Sequence, residues 1–143
     1  MPNVTITITG NIFPNGSYEF EILNFSFGVE DTGTASSGGG GSGKAVFSQF
    51  NFLRQQDALS PLFYKCCASG LLLPAVQLAL DAAGGGAYLQ ILLKTVLITS
   101  YQISSSGDTP TESFSLEYEE IQYETLNADG SVAYEEQFAA TWG

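Results

Sequence analysis

The chain has 143 residues, of which 44% are hydrophobic and 13% aromatic, enough to build a core, and we expect a single domain over residues 1–143. Fifteen acidic residues against four basic ones give a net charge of −11, which argues against binding nucleic acid or anionic membranes. The sequence contains no histidine, which excludes His-based catalytic triads and most transition-metal sites, so no cofactor or metal is expected.

The N-terminal segment predicts a half-buried strand, because Val4, Ile6 and Ile8 alternate with threonines. It has neither the basic region nor the apolar stretch of a signal peptide. We therefore expect assembly in the cytoplasm and, if the protein is exported, secretion without such a signal. The most apolar run, residues 89–103, is interrupted by Lys94, so no membrane insertion is expected.

Residues 17–29 predict a strand whose apolar residues change phase part of the way along. The apolar positions are Tyr18, Phe20 and Ile22, followed by Leu23, Phe25, Phe27 and Val29. A change of phase within one strand indicates a β-bulge, and bulges allow a sheet to curl.

Residues 30–43, rich in glycine and serine, predict a long mobile loop between two strands. Lys44 follows the glycines but leads into a strand, so the run matches neither a phosphate-binding loop nor a dinucleotide-binding fingerprint. Residues 44–53 then predict one strand. Its inward face would carry Val46, Ser48, Phe50 and Phe52.

A single helix is predicted over residues 60–70. Ser60 is expected to cap it with its hydroxyl, Pro61 to occupy the first helical position, and Gly70 to end it in the left-handed conformation. The apolar stripe of this helix would be Leu62, Phe63, Cys66 and Cys67. The adjacent cysteines suit core packing better than a disulfide or a zinc site.

The remainder of the chain predicts long antiparallel strands. The run 88–103 is apolar on both faces, a second phase change follows Tyr118, and Asp129-Gly130 predicts a hairpin turn before a last strand. At least seven strands, mostly sequential and antiparallel, and one helix predict a mainly β fold, a barrel or a sandwich.

Acidic residues near the C-terminus are the one candidate for catalysis. They are Glu117, Glu119, Glu120 and Glu124, and paired carboxylates can hydrolyse glycosides. However, strand alternation places Glu117 and Glu119 on the face opposite Leu116 and Tyr118, as in a solvated or interface strand. We therefore expect that the protein is not an enzyme.

Four stretches, in order along the chain, resemble the Hcp family, the haemolysin-coregulated tube protein of type VI secretion systems. They are residues 22–29, the strand of residues 43–52, the helix region 58–70, and residues 88–118 with the segment Asp-Thr-Pro-Thr-Glu-Ser at 108–113. Each motif alone is weak, whereas the ordered set covers most of the chain.

The resemblance implies a small antiparallel β-barrel of two curled sheets with one short flanking α-helix. It also implies a hexameric ring that stacks with other rings into the inner tube of a contractile apparatus. A sheath would surround this tube, a spike protein would tip it, and effectors would travel in its lumen. We expect subunit contacts at the scarce cations and at acidic residues, namely Arg54, Lys65, Lys94, Glu117 and Glu119. We expect the loop to contact the next ring through Glu30, Asp31, Thr32, Gly33, Ser36, Ser37, Ser42 and Lys44.

Two other functions remain open at the level of sequence. One is a tail-tube protein of a phage or of an extracellular contractile particle. The other is a monomeric β-barrel module that binds an apolar ligand. Its pocket would be lined by Phe20, Phe25, Phe50 and Phe52. The alternative for these residues is that they belong to an ordinary hydrophobic core.

Overall fold

The computed structural model describes residues 4–33, 45–81, 87–105 and 107–140. The strands are β1 (Val4–Thr9), β2 (Ser17–Glu21), β3 (Asn24–Ser26), β4 (Val29–Asp31), β5 (Ala45–Phe47), β6 (Phe50–Gln55), β7 (Leu72–Asp81), β8 (Ala87–Ser104), β9 (Thr111–Leu126) and β10 (Val132–Ala139). A 3-10 turn (Pro14–Gly16) precedes β2, and the α-helix α1 spans Ser60–Ser69. None of the helices in these ranges is both long and apolar enough to cross a membrane.

The main sheet is antiparallel and runs in the order β2-β1-β7-β8-β9-β6-β3. Strand β10 pairs with the second half of β9, beyond the part that pairs with β6, and β4 pairs separately with β5. The prediction of a mainly antiparallel β fold with one flanking helix is confirmed. Within the described residues, β2, β3 and β10 are edge strands.

Strand alternation places directly paired residues on the same face, and two such rows cross six strands. The first row is Tyr18–Ile8–Val76–Leu93–Ile121–Phe138, and the second is Phe20–Ile6–Leu78–Ile91–Tyr123–Glu136. The members of both rows on β1, β7 and β8, together with Ile121 on β9, are almost fully buried and belong to the core. This part of the core therefore lies on one face of the sheet, from β2 to β9, whereas Tyr123, Glu136 and Phe138 at the β10 end are exposed.

Helix α1 packs its predicted stripe on this core, where Phe63 and Cys66 are buried. Gly70 ends the helix with a φ of 66°, and the Leu71 N–H donates to the Cys66 carbonyl at 3.1 Å, as predicted for a left-handed stop.

The predicted start of α1 is wrong by one residue. Leu59 is the N-cap, and the Ser60 hydroxyl accepts a hydrogen bond from the Asp57 N–H at 3.0 Å. Pro61 is therefore the second helical residue. The Asp57 carboxylate in turn accepts a hydrogen bond from the Leu59 N–H at 2.9 Å, so the turn before α1 is held by bonds in both directions.

The predicted bulge in residues 17–29 is a crossing between two parts of the sheet. The Ile22 N–H donates to the Val4 carbonyl at 3.0 Å, whereas the Leu23 N–H donates to the Leu53 carbonyl at 2.7 Å. Strand β2 lies beside β1, and β3 lies beside β6 at the other end of the sheet. The change of apolar phase therefore marks the point where the chain joins the two ends of the curled sheet.

The single strand predicted over 44–53 is two strands, interrupted at Ser48 and Gln49. The Ser48 carbonyl accepts the Tyr118 hydroxyl at 2.8 Å, and the Ser48 hydroxyl accepts the Gly28 N–H at 2.6 Å. These two hydrogen bonds hold the backbone at Ser48 in a position that interrupts the strand between β5 and β6. Val46 is consequently exposed, whereas Phe50 is buried.

The second phase change also differs from the prediction of a bulge in β9. The register shift lies on β8 between Ile98 and Ser100. At the phase change itself both strands keep their register, and Thr95 opposite has a φ of 53°. A β-branched residue with positive φ is a strained position, so the sheet turns a corner there.

Candidate subunit interface and buried ion cluster

A buried ion cluster joins α1 to the sheet. Arg54 on β6 and Glu112 on β9 are directly paired, with Nη1 3.2 Å from Oε1, and their side chains are 2% and 0% exposed. Arg54 Nη2 also contacts the carboxylate of Asp57, which is 32% exposed and is bonded by the Tyr18 hydroxyl. The Tyr101 hydroxyl donates to the other oxygen of Glu112.

Aromatic rings enclose the guanidinium of this cluster. Its Cζ atom lies 4.5 Å from the ring centre of Phe20 and 5.0 Å from that of Phe63. Burial, followed by the hydrogen bond to Glu112, raises the pKa of Tyr101, and burial with the bond to Asp57 raises that of Tyr18. Both phenols therefore remain neutral donors to the carboxylates.

Arg54 was expected at a subunit interface, and that expectation is corrected by its burial within the chain. Its charge is neutralised internally by Glu112 and Asp57. A side chain that is 2% exposed in the single chain has no surface to offer a neighbouring subunit.

The other expected interface residues lie at the surface but do not form one cluster. Lys65 is exposed on α1, and Lys94 Nζ lies 3.8 Å from Glu120 Oε2. Glu117 accepts a bond from Gln49 Nε2 at 3.2 Å, and Glu119 is exposed.

The predicted contact loop begins on a two-stranded hairpin formed by β4 and β5, which we call the arm. Glu30 and Asp31 belong to β4, and Thr32 and Gly33 follow it. The Gly33 N–H donates to the Asp31 carboxylate at 2.8 Å. Four further residues of the loop prediction, Ser36, Ser37, Ser42 and Lys44, lie outside the described residues.

An apolar cavity of about 150 Å³ separates the base of the arm from the hairpin of β9 and β10. Its lining residues are Phe27, Gly28, Val29, Phe47, Ile121, Tyr123, Glu136 and Phe138. Two ring pairs bridge the arm and the sheet. The centroids of Phe27 and Tyr123 are 5.7 Å apart, and those of Phe47 and Phe138 are 6.3 Å apart.

Strand β10 exposes large apolar side chains, and its outer edge has no strand partner among the described residues. Tyr134 is 82% exposed, Phe138 57% and Val132 49%. An edge strand with exposed apolar residues is a template for pairing with another chain. This surface is the strongest candidate interface in the described chain.

The aromatic residues proposed to line a ligand pocket pack on one another. Phe52 stacks on Phe114 with centroids 4.4 Å apart, and Phe25 stacks on Phe50 at 5.9 Å. Phe20, Phe50 and Phe52 are buried in the core. No group of three or more potential metal ligands occurs among the described residues.

Sequence reasoning missed Glu112, Asp57, Tyr101 and the cavity. One signal was available, because Arg54 continues the buried alternation of Phe50 and Phe52, and Glu112 continues that of Phe114. Two opposite charges that both fall on buried positions of paired strands indicate a buried pair.

Comparison with known proteins identifies the family. A family model described as type VI secretion system effector, Hcp, matches residues 3–124. Among solved structures, Hcp1 from Salmonella typhimurium is 20% identical, with a TM-score of 0.77 over 96% of this chain and 94% of that one. A type VI secretion system effector from Yersinia pestis is 21% identical, with a TM-score of 0.76 over 96% and 99%.

The secreted protein Hcp3 from Pseudomonas aeruginosa is 16% identical, with a TM-score of 0.74 over 99% of this chain and 100% of that one. No sequence among curated proteins matches the chain. At these identities the solved structures show a shared fold, and the family model covers most of the sequence. The chain therefore belongs to the Hcp family of type VI secretion proteins.

Proposed function

We propose that this chain is a structural subunit that closes into a hexameric ring, and that such rings stack into the inner tube of a type VI-like contractile apparatus. Family membership supports this proposal. The observation that carries it is the exposed apolar edge of β10, because a monomer would leave Val132, Tyr134 and Phe138 in water.

The order of the strands supports a head-to-tail contact. Six strands run β2-β1-β7-β8-β9-β10, so β2 and β10 are two unlike edges of one surface. Pairing of β10 with β2 of a neighbouring copy joins two different surfaces. Such heterologous contacts generate rings when the rotation closes. The ring would then contain one continuous sheet. In this proposal each chain contributes a single domain.

The two faces of that sheet suggest which side is the lumen. Helix α1 occupies the core face, so the opposite face would turn inward. Its central row is polar apart from Leu92 and consists of Glu19, Thr7, Gln77, Leu92, Gln122 and Gln137. A hydrated wall of this kind suits passing protein effectors. The proposed partners are therefore further copies, sheath and spike proteins, and effectors.

Light scattering on purified protein tests the ring. We expect a particle of six times the 15.2 kDa chain mass, and Tyr134→Asp should shift it toward monomers because it places a charge on the proposed edge. The matched control is Leu71→Asp, which changes an exposed residue beside α1. A monomeric wild-type protein at micromolar concentration would overturn the ring.

Ring stacking is proposed to use the arm and the loop that follows it. Ordering this loop costs roughly 1–2 kcal/mol of backbone entropy per residue, so one contact would be weak and several per ring would be needed. Deletion of Ser36 to Ser42 should leave rings intact but shorten tubes in electron micrographs. Tubes of normal length would place the stacking contact elsewhere. Salt should lengthen tubes by screening the −11 charge of each subunit.

A further inference from the structure

The cavity at the base of the arm has the composition of an aromatic cage. Four of its lining residues carry rings, contributed in two pairs by the arm region and by the β9–β10 hairpin: Phe27, Phe47, Tyr123 and Phe138. Phe27 meets Tyr123 nearly edge to face, at 83°, whereas the rings of Phe47 and Phe138 are tilted by 44°. Rings that surround a space from several directions suit a cation, since each ring face is electronegative.

Charge at the cage favours the same kind of occupant. Glu136 is the one charged residue among the described residues that line it. An adjoining recess along the arm is lined by Glu30 and Asp31 as well as by Phe47 and Phe138. An aliphatic chain that ends in an ammonium group would satisfy both the apolar walls and the carboxylate. A lysine side chain has this chemistry.

The surroundings of the chain's own cations indicate which lysine could bind in the cage. Arg54 is buried with Glu112, and Lys94 lies beside Glu120. Lys44 is outside the described residues. Lys65 is exposed on α1, and it forms no ion pair within the described part of the chain.

The row of residues that crosses the sheet places Lys65 and the cage in complementary positions. Helix α1 packs mainly on β8 and also reaches β2, where Phe63 is 6.3 Å from Tyr18 between ring centroids. Phe138 of the cage ends the row that begins at Tyr18, so the contact of α1 with β2 and the cage share one face at opposite ends of this row. Pairing of β10 with β2 of the next copy would bring the α1 of that copy beside the cage.

We propose that the aromatic cage binds the Lys65 ammonium of the neighbouring subunit and so specifies which copy can dock in the ring. This inference rests on the proposed ring. The ammonium would lie against the rings and pair with the Glu136 carboxylate. Because the chain has few cations, this ion pair would fix how β10 of one copy aligns with β2 of the next.

Single substitutions at both partners test the contact. Lys65→Ala and Glu136→Gln should each raise, by roughly tenfold, the protein concentration at which half of the chains are in rings. Both side chains are exposed, so the subunit should keep its fold, which circular dichroism checks. The matched control is Glu135→Gln. Glu135 neighbours Glu136 but bonds Gln122 on the other face at 3.1 Å.

A charge exchange identifies the occupant. Lys65→Glu and Glu136→Lys should each weaken the ring, and the double variant should regain most of the lost assembly. Two results would overturn the contact while leaving the ring proposal intact. One is a Lys65→Ala variant that forms rings as readily as the wild type, and the other is a double variant that regains no assembly. A monomeric wild-type protein would overturn the ring itself. Phe138→Ala should weaken assembly at least as much as Glu136→Gln.

Discussion

Arg54 and Glu112 face each other on neighbouring strands in the interior, with Nη1 3.2 Å from Oε1 and almost no exposure of either side chain. Their position would otherwise hold apolar residues, because the strands on which they lie bury Phe52 and Phe114 next to them. Asp57 and Tyr101 complete the set of partners. The pair therefore depends on several segments that meet at one place.

Removal of one member of this pair should destabilise the subunit strongly. Arg54→Ala should lower the free energy of unfolding by about 3–5 kcal/mol, because it leaves the Glu112 charge buried without its partner. Urea denaturation followed by circular dichroism measures this change. The control is Lys94→Ala, which removes a half-exposed pair with Glu120 and should cost ~0–1 kcal/mol. Equal losses in the two variants would contradict the role of burial.

The strained backbone at Thr95 gives a prediction of opposite sign. Thr95→Gly should raise the free energy of unfolding by about 1 kcal/mol, since glycine accepts a φ of 53° without the steric cost borne by a β-branched residue. Thermal denaturation measures this gain in stability. In contrast, Thr7→Gly in the extended strand β1 should destabilise by about 0.5–1 kcal/mol. A loss of stability in both variants would show that Thr95 is not strained.

Gly70 should resist substitution because its φ is 66°. Gly70→Ala should destabilise by about 1–2 kcal/mol, the cost of a left-handed conformation for a residue with a Cβ atom. Gly28→Ala is the comparison, because an added Cβ would meet its nearest neighbour, the Ser48 hydroxyl, at 3.9 Å. The midpoint of chemical unfolding should fall for the first variant and change little for the second.

Alkaline pH should destabilise the fold through buried tyrosines. Burial raises the pKa of Tyr118 from 10.0 to about 12, and that of Tyr101 also lies above its usual value. The stability contributed by a raised pKa is complete below pH 10, where both states are protonated. It is lost as the pH rises from 10 toward 12, because the unfolded chain releases the proton first.

Urea midpoints measured from pH 8 to pH 12 test this dependence. Tyr118→Phe should lower the free energy of unfolding by about 1 kcal/mol at neutral pH, because the hydrogen bond to the Ser48 carbonyl is lost. Above pH 10, however, the stability of this variant should fall less steeply than that of the wild type. Parallel curves for the variant and the wild type would assign the alkaline loss to other groups.

Local signals were sufficient to predict the parts of the fold in which neighbours in sequence decide the structure. The alternation from Val4 to Ile8 gives β1, and the left-handed residue Gly70 ends α1. The change of phase at Ile22 and Leu23 was also visible. Its meaning was not, because a bulge and a crossing leave the same apolar pattern and differ in which strand accepts the next hydrogen bond.

The candidate site was less predictable because its parts are distant in the chain. The cage brings Phe27 and Phe47 against Tyr123 and Phe138, and no periodicity connects the two pairs. Arg54 was expected at a subunit interface because cations are scarce in this chain. Its burial follows from a carboxylate on another strand, and only the register of β6 against β9 brings the two together.

The branching of β9 has a consequence for the order of folding. Strands β8 and β9 are neighbours in sequence and can form a hairpin early, whereas β6 and β1 must return over long stretches of chain to pair with β9 and β7. Pairing of this kind slows folding, since loop closure precedes the gain from contacts. Arg54 meets Glu112 only when β6 docks on β9, so we expect the buried ion pair to form at this late step of folding.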